Sequence, residues 1–84
     1  MTKNLNTENI IKIIQDTLKS KNKITIDSEM NDTPEWDSFG HLEILINLDK
    51  KFNGKVANIK EMSSATSIKK IIKLLSYNKL ISNE

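Results

Sequence analysis

The stretch Trp36-Asp37-Ser38-Phe39-Gly40-His41-Leu42-Glu43-Ile44-Leu45-Ile46-Asn47-Leu48-Asp49-Lys50-Lys51-Phe52 opens on a polar turn and runs at once into an amphipathic helix. Leu42, Leu45, Ile46, Leu48 and Phe52 recur at helical spacing and predict a buried stripe, with Glu43, Asn47, Lys50 and Lys51 outside. The helix starts at Asp37 or Ser38, so a serine hydroxyl stands at a helix N-terminus, on an irregular approach open to another molecule. Asn53-Gly54 supplies the stop signal.

Working upstream, Ser20 to Trp36 shows no helical period. Ile24 and Ile26 alternate briefly with polar residues, but a single short run without a partner makes no sheet. A long ordered loop is expected, pinned to the core by Ile24, Ile26 and Met30, with Trp36 packed beneath it ahead of Ser38. Loops of this length in small domains are often functional. Pro34 cannot continue a helix and biases Thr33 toward extended geometry. Before the loop, Ile10, Ile11, Ile13, Ile14 and Leu18 form the apolar stripe of a first helix, with Thr7 as its expected N-cap and Glu8 in its first turn. Lys19, Lys21 and Lys23 gather near its carboxyl end, and Met1 to Asn6 reads as a frayed start.

Downstream of Gly54, Asn58 to Ser63 fits a single turn bearing Ile59 and Met62. Ser64-Ala65-Thr66-Ser67 is a second cap cluster, and Ile68, Ile71, Ile72, Leu74, Leu75 and Leu80 give a last helix its apolar face. The expectation is an all-α bundle of three main helices plus one short helix, with a long loop between the first two. It forms one domain over 1–84 with an ordered core of about 7–80.

Composition narrows the function classes. A chain of 84 residues without cysteine has neither disulfides nor thiolate metal sites, and a lone histidine excludes the usual zinc clusters. A domain of this size buries roughly 60 % of its unfolded surface. No apolar run reaches the ~20 residues that span a bilayer, and no signal-peptide core is present, so a cytoplasmic monomer is expected. Formal net charge is +2, from 13 lysines and 11 acids, unevenly spread. Asp27, Glu29, Asp32, Glu35, Asp37, Glu43 and Asp49 lie in a window without lysine, between lysine-rich flanks. Such an acidic centre suits a partner with a basic patch; solvation of a loop and a helix face accounts for the same charges.

Asp37-Ser38-Phe39, then Leu42-Glu43, the apolar stripe and Asp49 before Phe52, resembles the attachment motif of acyl carrier proteins. The resemblance covers nearly the whole chain, including the long loop and the Thr66-Ser67-Ile68 start of the last helix. It implies that a phosphopantetheinyl transferase attaches 4′-phosphopantetheine from coenzyme A to Ser38, and that the arm's thiol carries acyl intermediates as thioesters. A phosphate next to a helix N-terminus meets free N–H groups and the positive dipole end. Asp37 would cap the helix or help position a metal of the modifying enzyme. The resemblance further implies acyl-loading and acyl-transfer partners with basic docking patches, recognised through Asp37, Phe39, Glu43 and Asp49. It also implies a cleft for the acyl chain, with Leu42, Ile46, Ile59, Met62 and Ile71 as candidate lining. Lys50 and Lys51 stand where acids are usual and point to a specialised biosynthetic pathway rather than general fatty-acid synthesis.

Other readings remain open. D-alanyl and peptidyl carriers share a serine-opening helix, and an unmodified helical interaction module would use Asp37-Ser38 only as a cap. A Ser38–His41 hydrolase pair lacks an oxyanion hole and a Gly-x-Ser-x-Gly turn, and His41 is expected to be a partly exposed surface residue. The last helix's lysines come without arginine or aromatic interleaving, against nucleic-acid binding. Gly40 costs about 1 kcal/mol in helix propensity, and its small size would let a partner approach, or is incidental. Neither a catalytic residue nor a metal ligand is expected.

Overall fold

A computed structural model describes residues Leu5–Ile81. Three α-helices carry the fold: α1 (Thr7–Leu18), α2 (Ser38–Lys51) and α3 (Ile68–Tyr77). Two 3-10 turns punctuate the connections, Met30–Asp32 within the long loop and Lys60–Ser64 before α3. The architecture is therefore the expected all-α bundle, with its long loop between the first and second helices. α1 packs on both α2 and α3, and the second 3-10 turn packs against α2 and α3.

Each helix has an identifiable start and stop. α1 is capped by Asn6 rather than Thr7: Asn6 Oδ1 accepts from Asn9 N–H, and Asn9 Oδ1 accepts from Asn6 N–H, both at 2.9 Å. This reciprocal capping box places Asn6 within the ordered start; Met1–Asn4 lie outside the described residues. α1 ends at Leu18, and Lys19 turns left-handed at φ 52°, so the three lysines follow the helix instead of filling its last turn. Both α2 and α3 close with Schellman geometry. Gly54 N–H donates to Asp49 O at 2.9 Å with Asn53 at φ 57°, and Leu80 N–H donates to Leu75 O at 2.9 Å with Lys79 at φ 62°. Gly54 itself sits at φ 85°, where a side chain would be strained.

The core is built from Ile10, Ile14 and Leu18 of α1, Ile44, Leu48 and Phe52 of α2, and Ile68, Ile71 and Leu75 of α3. Ile24, Trp36, Val56, Ile59, Met62 and Ala65 reach it from the connections. Burial of each large side chain stabilises the fold by about 1.5–3 kcal/mol, and Trp36 is the largest of those fully buried.

The buried side of α2 differs from the expected stripe. Gly40, His41, Ile44 and Leu48 face inward, whereas Leu42 and Ile46 are about half exposed, at 53 % and 46 %. Leu45 is partly buried, and Asn47 turns toward α1, where its Nδ2 donates to Thr17 Oγ1 at 2.8 Å. In the loop, Ile24 and Met30 pack on the core as expected, but Ile26 is 38 % exposed.

Candidate functional site

Ser38 is exposed and occupies the first position of α2. The capping bond belongs to its neighbour: Asp37 Oδ1 accepts from Gly40 N–H at 2.8 Å. Asp37 is therefore explained by local structure, and the Ser38 hydroxyl is not needed for the cap. The N–H groups of Ser38 and Phe39 fall in the first turn, where no intrahelical acceptor exists. Phe39 is 67 % exposed beside the serine, and Phe39, Leu42 and Ile46 form an outward apolar line along α2 at i, i+3 and i+7.

Behind Ser38, the helix start is locked by contacts that local sequence does not announce. A Cβ on Gly40 would lie 2.7 Å from Glu35 O and 2.9 Å from Leu18 Cδ2. Gly40 thus lets the loop and the end of α1 close onto α2, and its small size faces inward rather than toward a partner. His41 is buried, not a surface residue. Trp36 Nε1–H donates to His41 Nδ1 at 3.0 Å, with the two ring planes within 18°. An acceptor at Nδ1 leaves the ring proton on Nε2, which donates to Met62 O at 2.9 Å. One imidazole therefore ties the loop, α2 and the second 3-10 turn together. Both of its nitrogens are occupied, which removes the base from any Ser38–His41 hydrolytic pair.

The loop that presents Ser38 is fastened at both ends. Gln15 holds the entry: its Nε2 donates to Ser20 O at 3.0 Å and Asn22 O at 3.2 Å, while its Oε1 accepts from Ile24 N–H at 2.6 Å. Farther on, Met30 N–H donates to Thr66 O at 2.9 Å and Ile68 N–H to Ser28 O at 3.0 Å, laying the loop across the start of α3. Just before Trp36, Glu35 Oε2 accepts from Lys21 N–H at 3.3 Å. Its own backbone N–H, then that of Lys21, holds the Glu35 carboxyl below the ordinary glutamate range, against an opposing contribution from desolvation. Glu35 Oε1 lies out of solvent contact without a hydrogen-bond partner among the described residues.

The expected recognition residues separate. Asp37 and Phe39 are exposed beside Ser38, and Glu43 is half-buried one turn on. Asp49 lies at the far end of α2, where its Oδ1 accepts from Ala57 N–H at 2.8 Å and folds the connection back. Asp27, another acid of the central window, pairs with Lys69 at 3.2 Å. The candidate cleft residues also divide: Ile59, Met62 and Ile71 are buried in the core, while Leu42 and Ile46 look outward. The clamps at Gln15, Gly40 and His41 were not legible beforehand. The only local signal was a histidine and a glycine inside an otherwise helical run.

Comparison with protein-family models, with curated proteins and with solved structures found no significant match to this chain. The fold and the site define a class no finer than a small helical bundle compatible with carrier-type modules. Among the described residues no helix is long and apolar enough to cross a membrane.

Proposed function

We propose that this chain is an acyl carrier protein, with 4′-phosphopantetheine attached to Ser38 by a phosphopantetheinyl transferase. The observation that supports the reading most strongly is the division of labour at the start of α2. Asp37 makes the cap, and the adjacent Ser38 hydroxyl stays exposed on a rigidly held helix end. A phosphodiester formed there would sit next to the unpaired first-turn N–H groups of Ser38 and Phe39. The exposed Phe39, Leu42 and Ile46 then give a modifying or loading enzyme an apolar track beside the attachment point. The chain catalyses nothing itself in this account; it presents a bound group, in a specialised biosynthetic pathway, to enzymes that do.

Lys50 extends that exposed line by one more turn and is itself exposed. A dedicated partner would meet it with a carboxylate, unlike an enzyme whose whole docking patch is basic. An unmodified interaction module would use the same apolar line, and one experiment separates the two. The purified protein is incubated with coenzyme A and a transferase of broad specificity, and its intact mass is measured. A carrier gains one phosphopantetheine moiety, and the Ser38→Ala variant gains none while keeping its helical circular dichroism. No gain by the wild type, with the transferase active on a control carrier, selects the interaction module.

A further inference from the structure

A second surface lies away from Ser38, and none of its residues takes part in the proposed attachment. α3 contains no acidic residue, and Lys69, Lys70, Lys73 and Tyr77 are all exposed along it. Tyr77 is 84 % exposed and Ile26, on the loop, 38 %. Ile26 forms a ridge between two shallow grooves. One is lined by Lys69, Ile72, Lys73, Ser76 and Tyr77 of α3, and the other by Glu8, Ile11, Lys12 and Gln15 of α1 with Lys23 of the loop. The face is continuous because Ile26 borders both grooves. At roughly 100° per residue, Ile11 and Gln15 of α1 point well away from Ile13, Asp16 and Thr17, which border α2 beside Asn47, whereas Lys12 stands only about 40° from Asp16, one turn on. Phe39, Leu42 and Ile46 of α2 line neither groove.

We propose that this face docks the protein peripherally on an anionic lipid surface. Lys23 and Lys73 are exposed beside the apolar ridge; Lys12, also exposed, has Glu8 and Asp16 four residues to either side on α1, and Lys69 has Asp27 as an ion-pair partner, which leaves lysines in excess of acids around the ridge. The cations are all lysines, compact point charges on flexible stems that suit a diffuse anionic field. Reading of single carboxylates or phosphates in a protein partner favours the planar fork of arginine, which the chain lacks entirely. The apolar groups on the face are an isoleucine tip and a tyrosine, whose ring and hydroxyl suit a boundary between headgroup and acyl chain. A single exposed tyrosine offers no succession of stacking platforms for a nucleic acid.

The test is flotation of the full chain with phosphatidylcholine vesicles, with and without phosphatidylglycerol. The wild type should float with phosphatidylglycerol vesicles at low ionic strength, stay behind with pure phosphatidylcholine, and be released by salt. Lys23→Gln and Lys73→Gln should each weaken partitioning about fivefold. The Ile26→Ser/Tyr77→Ser double variant should weaken it further, with an unchanged circular dichroism spectrum. Ser38→Ala should float like the wild type, which keeps this result independent of any attachment at Ser38. Failure to float with phosphatidylglycerol vesicles, or flotation indifferent to the lysine substitutions, overturns the proposal. So does tight capture by soluble heparin that ignores the Ile26/Tyr77 change, since that result assigns the face to a polyanionic macromolecule.

Discussion

Gly40 and His41 carry no candidate chemistry, yet they set where Ser38 stands. In an ordinary exposed helix position Gly40→Ala would stabilise by about 1 kcal/mol. Here the new methyl group meets a backbone oxygen and Leu18, so a net loss of about 1–2 kcal/mol is expected in urea unfolding. An unchanged or raised midpoint would show that the loop yields easily. His41→Ala should cost more, about 2–4 kcal/mol, because it opens a cavity and strands Trp36 Nε1–H and Met62 O. Tryptophan fluorescence, reporting the freed indole, checks it independently of the unfolding midpoint. Glu35 gives a pH signature. Its folded-state carboxyl is held below the ordinary range, so its stabilisation is present above the unfolded glutamate value of about 4.3 and is lost as pH falls through the folded one. The stability difference between wild type and Glu35→Gln should therefore shrink on acidification below about pH 4; a constant offset would contradict the assignment. The inward side of α2 was illegible for a physical reason. Leu42, Ile44, Leu45, Ile46 and Leu48 are apolar at nearly every position, so two helical phases fit. The choice between them falls to Gly40 against Leu18 and to Trp36 against His41, contacts that no window of the sequence displays.

The stop of α2 and the start of α3 were the most legible helix ends, whereas the α1 cap falls on Asn6 in place of the expected Thr7. Asn53-Gly54 closes α2 and Ser67 caps α3, its Oγ accepting from Lys70 N–H at 3.1 Å, because both signals act within a few residues. The long loop was legible as a loop, but not its fastening, which depends on Gln15 one helix earlier and on Thr66 thirty-six residues beyond Met30. For α2, Asp37 and Ser38 separate in a simple comparison. Asp37→Ala should lower stability by about 1 kcal/mol through loss of the cap, whereas Ser38→Ala should leave it nearly unchanged. A Ser38→Ala loss as large as that of Asp37→Ala would make the serine a structural residue after all. Substituting Phe39 by serine removes mostly exposed surface and should keep stability within about 0.5 kcal/mol of wild type, whereas the same change at Leu42 or Ile46, each about half exposed, should cost about 1 kcal/mol. The same changes should slow modification by a transferase, read as initial rate in the coenzyme A assay. Equal rates would remove α2's apolar track from the account.

Across the whole molecule, the two proposals fall on two different faces. α2 shows an apolar line that begins at Ser38 and ends at Lys50, and the α1–loop–α3 face shows lysines around Ile26 and Tyr77. The acidic centre of the sequence stays at the surface at Asp27, Glu29, Asp32 and Asp37, but most of its acids also hold structure. Asp27 is paired, Glu35 and Asp49 accept backbone bonds, and Asp37 caps a helix. Charge counting sees the residues but not the bonds that occupy them. The architecture itself was largely legible, since three periodic segments and one long aperiodic one leave few ways to bury the isoleucines. The proposed attachment rests on Ser38, and trypsin isolates the decisive segment. The lysine-free window releases a peptide spanning residues 24–50, in which Ser28 and Ser38 are the only serines. After incubation with coenzyme A and a broad-specificity transferase, fragmentation of that peptide should place one phosphopantetheine on Ser38. An unmodified peptide, or modification at Ser28, would contradict the central claim.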